Sequence, residues 1–497
     1  MARKVILSSI VLSITSGILL ALSYPQFNLG FFAWIALIPL LFAIENKNLL
    51  QSFGLGWLTG FTMFIGQLFW LKVFHVLVPF ALSAYLALYF GLFCLLYRFI
   101  KSKISISGLL IIPIIWVSIE YIRSIGPWGF PAGLLGYSQY QNLLLIQIAD
   151  VVGIFGLSFL LVFVNASLFY LIKEFSFNRA TKIVPIMLII LVSAFVYGGV
   201  KMARVENDKT VRVALIQPNF SFNNEKEYNI NEVIQTLDEL TSQAAKEKPD
   251  LIIWPETVIR ESVRLNLALS KKLNTMVNKY NSYLLFGNPD MKKVNGKIRD
   301  YNSAFLVSPK GEVVGQYNKI HPVPFWEMFP VRDYLSFLRN TEAKGSCDRG
   351  EEFTVLEFPK GRFSALICFE GIFPDLARKF VRNGAQFLVN ITNDGWSKST
   401  TEHYQHASMD VFRAVENRVY YVRVGNSGVT EVIDPYGRVV KSLPIYKNGC
   451  LVADIGLRKG DTVYTKFGDY FGYLSLILMS GMMGVTLFSK GRTGNEV

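Results

Sequence analysis

Phe363-Ser364-Ala365-Leu366-Ile367-Cys368-Phe369-Glu370 is the stretch on which the reading of this chain turns. Five residues, four of them apolar, form a short run of the length and composition of a buried strand, and the run delivers a thiol at its carboxyl end. A thiol is a good acyl acceptor only as the thiolate, so a nucleophilic cysteine needs a base for its proton and a cation for the charge that develops. Two segments far upstream supply those types in similarly pointed settings. Glu256 follows the apolar run Leu251-Ile252-Ile253-Trp254 directly, with Pro255 stiffening the exit, and Lys319 lies in Tyr317-Asn318-Lys319-Ile320-His321-Pro322-Val323-Pro324-Phe325-Trp326-Glu327. Taken singly, Cys368 reads as a small buried hydrophobe, Glu256 as a carboxylate at a helix start and Lys319 as a solvated loop lysine. Their combination gives the chemistry its weight.

Around these residues the chain alternates strands and helices. Strands are expected at 211–217, 251–254, 283–287, 303–308, 363–368, 386–391, 420–424 and 429–433, with helices at 229–247, 262–280, 373–383 and 404–417. Such alternation favours an α/β sandwich with buried strands, whose ligands bind beyond the carboxyl ends of the strands. Glu256, Cys368 and the pair Asn393 and Asp394 are therefore expected at the same edge of one sheet. The proline-rich stretch after Lys319 is expected to be loop.

The remainder of the chain is of a different kind. Half of its 497 residues are hydrophobic, but the apolar residues are concentrated before residue 200 and after 466. Eight runs approach the roughly 20 residues that span a bilayer as helix: 5–23, 27–44, 52–71, 78–97, 107–122, 150–172, 182–199 and 467–488. A cleavable leader is the alternative for the first. Arg3, Lys4, Lys47, Arg98, Lys101, Lys103, Lys173, Arg179, Lys182, Lys490 and Arg492 fall in alternate loops, and the others hold little beyond Lys72 and Arg123. The bias toward positive charge in cytoplasmic loops then places the N-terminus inside and the α/β domain outside. The expected organisation is a seven-span helical domain over 1–200, an extracytoplasmic catalytic domain over 205–460, and a last span with a cytoplasmic tail over 461–497. The net charge of +13 fits contact with anionic lipid rather than nucleic acid.

Trp254-Pro255-Glu256, the lysine of Tyr317-Asn318-Lys319 and the cysteine of Ile367-Cys368-Phe369-Glu370 resemble the Glu-Lys-Cys triad of the nitrilase, or carbon-nitrogen hydrolase, superfamily. With the segment Lys319 to Glu327, Tyr24-Pro25 near the start and the membrane spans, nearly the whole chain is similar to the apolipoprotein N-acyltransferases of bacterial inner membranes. The resemblance implies a nitrilase-like αββα sandwich inserted between helices of a polytopic membrane domain. It implies transfer of an acyl chain from a phospholipid, through a thioester on the enzyme, to the α-amino group of the diacylglyceryl-cysteine of an apolipoprotein. Glu256 would be general base, Lys319 the oxyanion's partner and Cys368 the nucleophile. Glu327 and Glu370 would support them, with Phe369, Trp326 and Asn393 near the substrates. No metal and no cofactor are implied, and the working unit is a monomer. Phe369 stands where relatives often carry tyrosine, and 219–232 lacks a tryptophan that some relatives have. The alternative reading is a membrane-anchored amidase or nitrilase acting on a small external substrate.

Smaller expectations complete the picture. Cys347 and Cys450 are available for a disulfide, whereas Cys368 must stay free. The apolar loop from Pro324 to Leu338 is either a lid that admits acyl chains or a segment packed on the core, and Trp128 and Phe130 are expected near the membrane surface.

Overall fold

The computed structural model describes residues 2–103, 107–126, 129–173, 175–203, 209–220, 228–294, 296–324, 326–328, 347–397, 399–458 and 460–488. Contacts divide the chain into two compact units, 1–203 with 469–497, and 204–468.

The first unit is helical: α1 (Ala2–Leu22), α2 (Ile38–Ala43), α3 (Leu49–Leu68), α4 (Val78–Lys101), α5 (Gly108–Ser124), α6 (Leu143–Ile146), α7 (Ala149–Lys173) and α8 (Phe177–Met202), joined by the distant α14 (Tyr470–Phe488). Five helical stretches among the described residues, 49–73, 78–101, 149–173, 177–202 and 470–488, are long and apolar enough to cross a membrane. Small residues let these helices approach closely, as expected where apolar packing alone cannot tell protein from lipid. A Cβ on Gly56 of α3 would lie 2.6 Å from the Phe90 carbonyl of α4.

The span expected at 27–44 is not one helix. It is a 3-10 turn, Gly30–Trp34, followed by the short α2. Pro39 stands in the first turn of α2 and has no N–H with which to continue an incoming helix. The backbone groups freed at this break find a side chain instead: Leu37 N–H donates to Asn165 Oδ1 (2.9 Å), and Asn165 Nδ2 donates to the Ala33 carbonyl (2.8 Å). Similarly, α7 kinks at Gly153, whose φ of 62° lies in the left-handed region.

The second unit contains two six-stranded sheets. The first has the order β12-β1-β2-β3-β4-β5 and the second β11-β10-β9-β8-β7-β6. The strands are β1 (Thr210–Gln217), β2 (Leu251–Ile253), β3 (Tyr283–Val294), β4 (Lys297–Val307), β5 (Val313–Asn318), β6 (Leu356–Phe358), β7 (Gly361–Ile367), β8 (Phe387–Thr392), β9 (Tyr420–Gly425), β10 (Thr430–Ile433), β11 (Val439–Leu443) and β12 (Gly449–Gly456). β1, β2 and β3 run parallel, as do β7, β8 and β9. Helices α9 (Ile230–Ala245) and α10 (Leu267–Tyr280) close the outer face of the first sheet through Val233, Leu237, Leu269 and Leu273. α11 (Pro374–Arg382) and α12 (Thr400–Asn417) pack on the second, and the short α13 (Val463–Phe467) packs against these two helices. Four layers, helix-sheet-sheet-helix, result.

One expectation is corrected here. Glu256 leaves β2 in the first sheet, whereas Cys368 leaves β7 and Asn393 leaves β8 in the second. Hydropathy shows that a strand is buried on both faces but not which partner it pairs with. Glu256 and Cys368 therefore face each other across the sandwich instead of sharing one edge.

Candidate active site

Each reactive side chain is held by the backbone that delivers it. Trp254, buried, anchors the exit of β2 by donating its indole N–H to Thr241 Oγ1 of α9 (3.0 Å). Beyond Pro255 the chain turns through Thr257 at φ 46°. Neighbouring β3 leaves room for this turn with a glycine: a Cβ on Gly287 would stand 2.7 Å from Glu256 Cα. Glu256 is then fixed through both oxygens. Oε1 accepts from Asn302 Nδ2 (2.7 Å) and Oε2 from the Asn393 N–H (2.9 Å).

Lys319 follows β5 and is wholly buried. Its N–H donates to the Asn302 carbonyl, and its own carbonyl accepts from Gly350 N–H (2.7 Å). Nζ donates to Glu327 Oε1 at 2.9 Å and lies 3.5 Å from Glu256 Oε1. Glu327 is itself tied down, since its Oε2 accepts from Val323 N–H (2.7 Å) and its carbonyl from Cys347 N–H (2.8 Å). Asn302 completes the group, reaching Glu327 Oε1 at 3.3 Å with the same amide that serves Glu256.

Cys368 opens a 3-10 turn, Cys368–Ile372, at the end of β7. Its φ of 53° is unusual for a residue with a Cβ and costs on the order of 1–3 kcal/mol. The surroundings hold it there. The Cys368 carbonyl accepts from Asn390 Nδ2 (3.3 Å) and lies 3.1 Å from His406 Nε2. Arg423 Nη2 sits 3.0 Å from His406 Nδ1. A guanidinium has no acceptor, so Nδ1 must accept and Nε2 must carry the proton that goes to Cys368. Burial, reinforced by the Arg423 charge, pushes His406 down to about 3 and keeps the ring neutral.

Glu370, two residues on, is fully buried. Oε1 accepts from Tyr317 Oη (2.7 Å), Ile320 N–H (2.7 Å) and His321 N–H (3.0 Å), while Oε2 accepts from Ile367 N–H (2.8 Å). One carboxylate therefore clamps the lysine segment to the cysteine turn.

The charges follow from burial and proximity. Burial, then the facing Glu256, holds the Cys368 thiol well above its usual range, so the resting group is S–H. Burial also raises Glu256, with Lys319 opposing. Burial alone would neutralise Lys319, but Glu327 and then Glu256 overcome it and hold the ammonium well above the usual lysine value. The site thus presents an S–H, a carboxylate with raised proton affinity, and a fixed cation from which water is excluded.

Other expected residues fall around this centre unequally. Asn393 contributes its backbone N–H to Glu256, while its side chain accepts from Gly395 N–H. Phe369 is half-buried and sets its edge against Phe373, which stacks on His321. Trp326 is 54% exposed. Phe325, Trp128 and residues 329–338 of the apolar loop lie outside the described residues; Phe130 is half-buried. All four cysteines are free. Cys347 stands beside Glu327 with its thiol pushed up to about 12, chiefly by burial, whereas Cys450 is on β12. A disulfide between them is not formed.

Asn302, Gly287, Asn390, His406 and Tyr317 were not singled out from the sequence. Asn302 and Asn390 carried a signal, an amide within or beside an apolar strand, where a polar side chain needs a partner. One further group of ligating atoms, from Asp394, Glu402 and His406, converges within 4.8 Å. Arg423 already bonds Asp394 (3.0 Å) and His406 and fills the need for positive charge there.

Two family models match the chain: the apolipoprotein N-acyltransferase N-terminal domain over residues 16–167 and carbon-nitrogen hydrolase over 212–463. The chain is 36% identical to the apolipoprotein N-acyltransferase of Geobacter metallireducens over 93% of its own length and 92% of the relative's. It is 33% identical to apolipoprotein N-acyltransferase 1 of Treponema denticola, covering 95% of each chain. With that of Thermotoga maritima the figure is 31%, over 95% and 92%. Among solved structures it is similar to an amidase from Nesterenkonia sp., at 18% identity over 55% of this chain and 98% of that one, with a TM-score of 0.41. The similarity to the enzymes extends through the helical unit as well as the α/β unit, and the chain belongs to the apolipoprotein N-acyltransferase family.

Proposed function

We propose that this protein moves an acyl chain from a phospholipid to the N-terminal α-amino group of a diacylated apolipoprotein, with Cys368 as the carrier. The observation that carries the reading is the placement of Lys319 Nζ, buried, 2.9 Å from Glu327 and 3.5 Å from Glu256. A cation so fixed serves an oxyanion without reorganising.

In the first half-reaction Glu256 takes the proton of the Cys368 thiol as sulfur attacks the ester carbonyl. The tetrahedral oxyanion forms against Lys319. Collapse breaks the ester C–O bond, the proton on Glu256 passes to the departing oxygen, and lysophospholipid leaves behind a thioester. In the second, the neutral amine attacks the thioester carbonyl and Glu256 takes its proton. The C–S bond breaks, the amide departs, and the thiolate recovers the proton from Glu256. An α-amino group with a pKa near 8 reaches the neutral form readily at the working pH. Transfer to amine over water needs a dry thioester, and the burial of Lys319, Glu256 and Glu370 supports that.

Glu327 and Asn302 are read as positioning residues, the first for Lys319 and the second for Glu256. Glu370 is read as the structural clamp between lysine segment and cysteine turn. The chain is placed in the bacterial inner membrane as a monomer with eight crossings, the N-terminus inside and the α/β unit outside. The alternation of Lys and Arg between loops supports this. In this topology the 3-10 turn and short helix over 30–43 together make the second crossing.

Intact mass after incubation with phospholipid, without amine acceptor, tests the chemistry. Wild type is expected to gain a hydroxylamine-sensitive acyl group and Cys368→Ala none. Absence of adduct with the phospholipid unchanged would overturn acyl transfer.

A further inference from the structure

β3 and β4 do not end at the site. Pro289 pairs with Asn302 at the level of the reactive carboxylates, yet β3 runs on to Val294 and β4 starts back at Lys297. Side chains alternate along a strand and cross-strand partners share a face. Met291 with Asp300, and Lys293 with Ile298, therefore continue the face on which Gly287 and Asn302 meet Glu256.

That face is open. Ile298 is 74% and Met291 45% exposed, Lys293 and Asp300 are exposed beside them on this face, and Lys297, exposed at the tip, pairs with Val294 on the other. The opposite face is occupied: Asp290 accepts from Gln316 Nε2 (2.8 Å) and Arg264 Nη1 (3.3 Å), and Lys292 donates to Gln316 Oε1 (2.6 Å). Between Met291 and Arg299 the sequence holds Lys292, Lys293, Lys297 and Arg299 and no carboxylate. Asp300, the acid on the open face, sits at the site end, away from the tip.

Two exposed apolar side chains beside Lys293, at a hairpin tip that also carries the exposed Lys297, complement one kind of surface in particular, an anionic phospholipid interface, where ammonium groups meet the headgroups and apolar side chains enter the boundary layer. We propose that the β3–β4 hairpin lays its Met291–Ile298 face on an anionic phospholipid surface and so presents that lipid beside Glu256 and Cys368. The proposal rests on the acyl-transfer reading for the use made of the lipid, not for the contact itself.

The test uses the full chain in vesicles of phosphatidylglycerol or of phosphatidylcholine, with a benzophenone amino acid at Ile298 and, as control, at Val440 on β11. Light is expected to yield a phospholipid adduct at 298, several-fold more from phosphatidylglycerol, and none above background at 440. Reversing Lys293→Glu and Lys297→Glu together is expected to cut the adduct from anionic vesicles by at least about twenty-fivefold, since each of the two basic residues lost near such a surface counts for about fivefold. The same double variant should keep the wild-type unfolding midpoint, so that the loss is of lipid contact and not of fold. Equal adduct at 298 and 440, no preference for the anionic lipid, or capture of a protein instead would overturn the proposal. Failure of wild type to form the thioester would overturn the acyl-transfer reading while the crosslink still judged the hairpin.

Discussion

Glu370 shows how far a motif can be read and where its reading stops. The family resemblance marked it as a supporting residue, and four hydrogen bonds from Tyr317, Ile320, His321 and Ile367 make it a clamp. Glu370→Gln places an NH2 group among donors, so acylation of Cys368 should fall at least about a hundredfold and stability by about 2 kcal/mol. Single-turnover acylation and thermal unfolding measure the two. Asn302 offers a finer test. Burial raises the pKa of Glu256, and the Asn302 hydrogen bond works against that rise. Asn302→Ala removes it, so Glu256 should hold its proton to higher pH. In the proposed role Glu256 acts unprotonated, so the acid limb of the acylation rate against pH should move upward, while the rate well above that limb changes less. An unmoved limb would assign Asn302 no part in tuning the base. Glu256 was legible because a carboxylate directly after an apolar run is conspicuous, and Lys319 only because its segment, taken with the other two, resembles the Glu-Lys-Cys pattern. Asn302 was not, because an amide in a strand reveals its partner only when the partner is in place.

At the scale of elements, the close approach of β3 to the β2 exit makes its own demand. Gly287→Ala brings a Cβ to 2.7 Å from Glu256 Cα and 2.9 Å from Thr257 N, both backbone atoms that cannot swing aside. Acylation should drop at least tenfold, with the β2 turn displaced, whereas a glycine in open space such as Gly296 has no Cβ clash to answer for. β10 carries a different liability. Burial raises Glu431 to about 8, with Arg423 opposing. The folded state thus prefers the proton more than the unfolded chain does, and the stability this gives is complete below pH ~4.5 and lost as pH rises through about 8. Over that interval the loss is on the order of 5 kcal/mol. Glu431→Gln should flatten the fall of the unfolding midpoint between pH 5 and 8; a parallel fall in both proteins would show that Glu431 is ionised at no cost. The strand runs around Cys368 and Glu256 were visible from hydropathy. The hairpin beyond 287 was not, since its tip is charged and lacks the apolar period that marks a buried strand.

For the molecule as a whole, the topology is open to direct test. With eight crossings, a reporter fused after Lys47 should read cytoplasmic and one fused after Gln26 extracytoplasmic. Equal readings would mean that the broken segment Gly30–Ala43 does not cross, and the α/β unit would then lie on the N-terminal side. Sequence alone determined that apolar and ordinary globular stretches divide the chain, and that a strand-borne thiol, a carboxylate and a lysine recur in one pattern. Burial and local geometry leave their mark on composition, so these features can be read one segment at a time. Only the tertiary structure decided that Glu256 and Cys368 come from opposed sheets, that Asn165 holds the break at Leu37, and that His406 and Arg423 fix the cysteine turn. Each of these depends on which distant segment arrives as partner, and a hydrogen bond across more than a hundred residues of chain leaves no periodic trace in either sequence it joins.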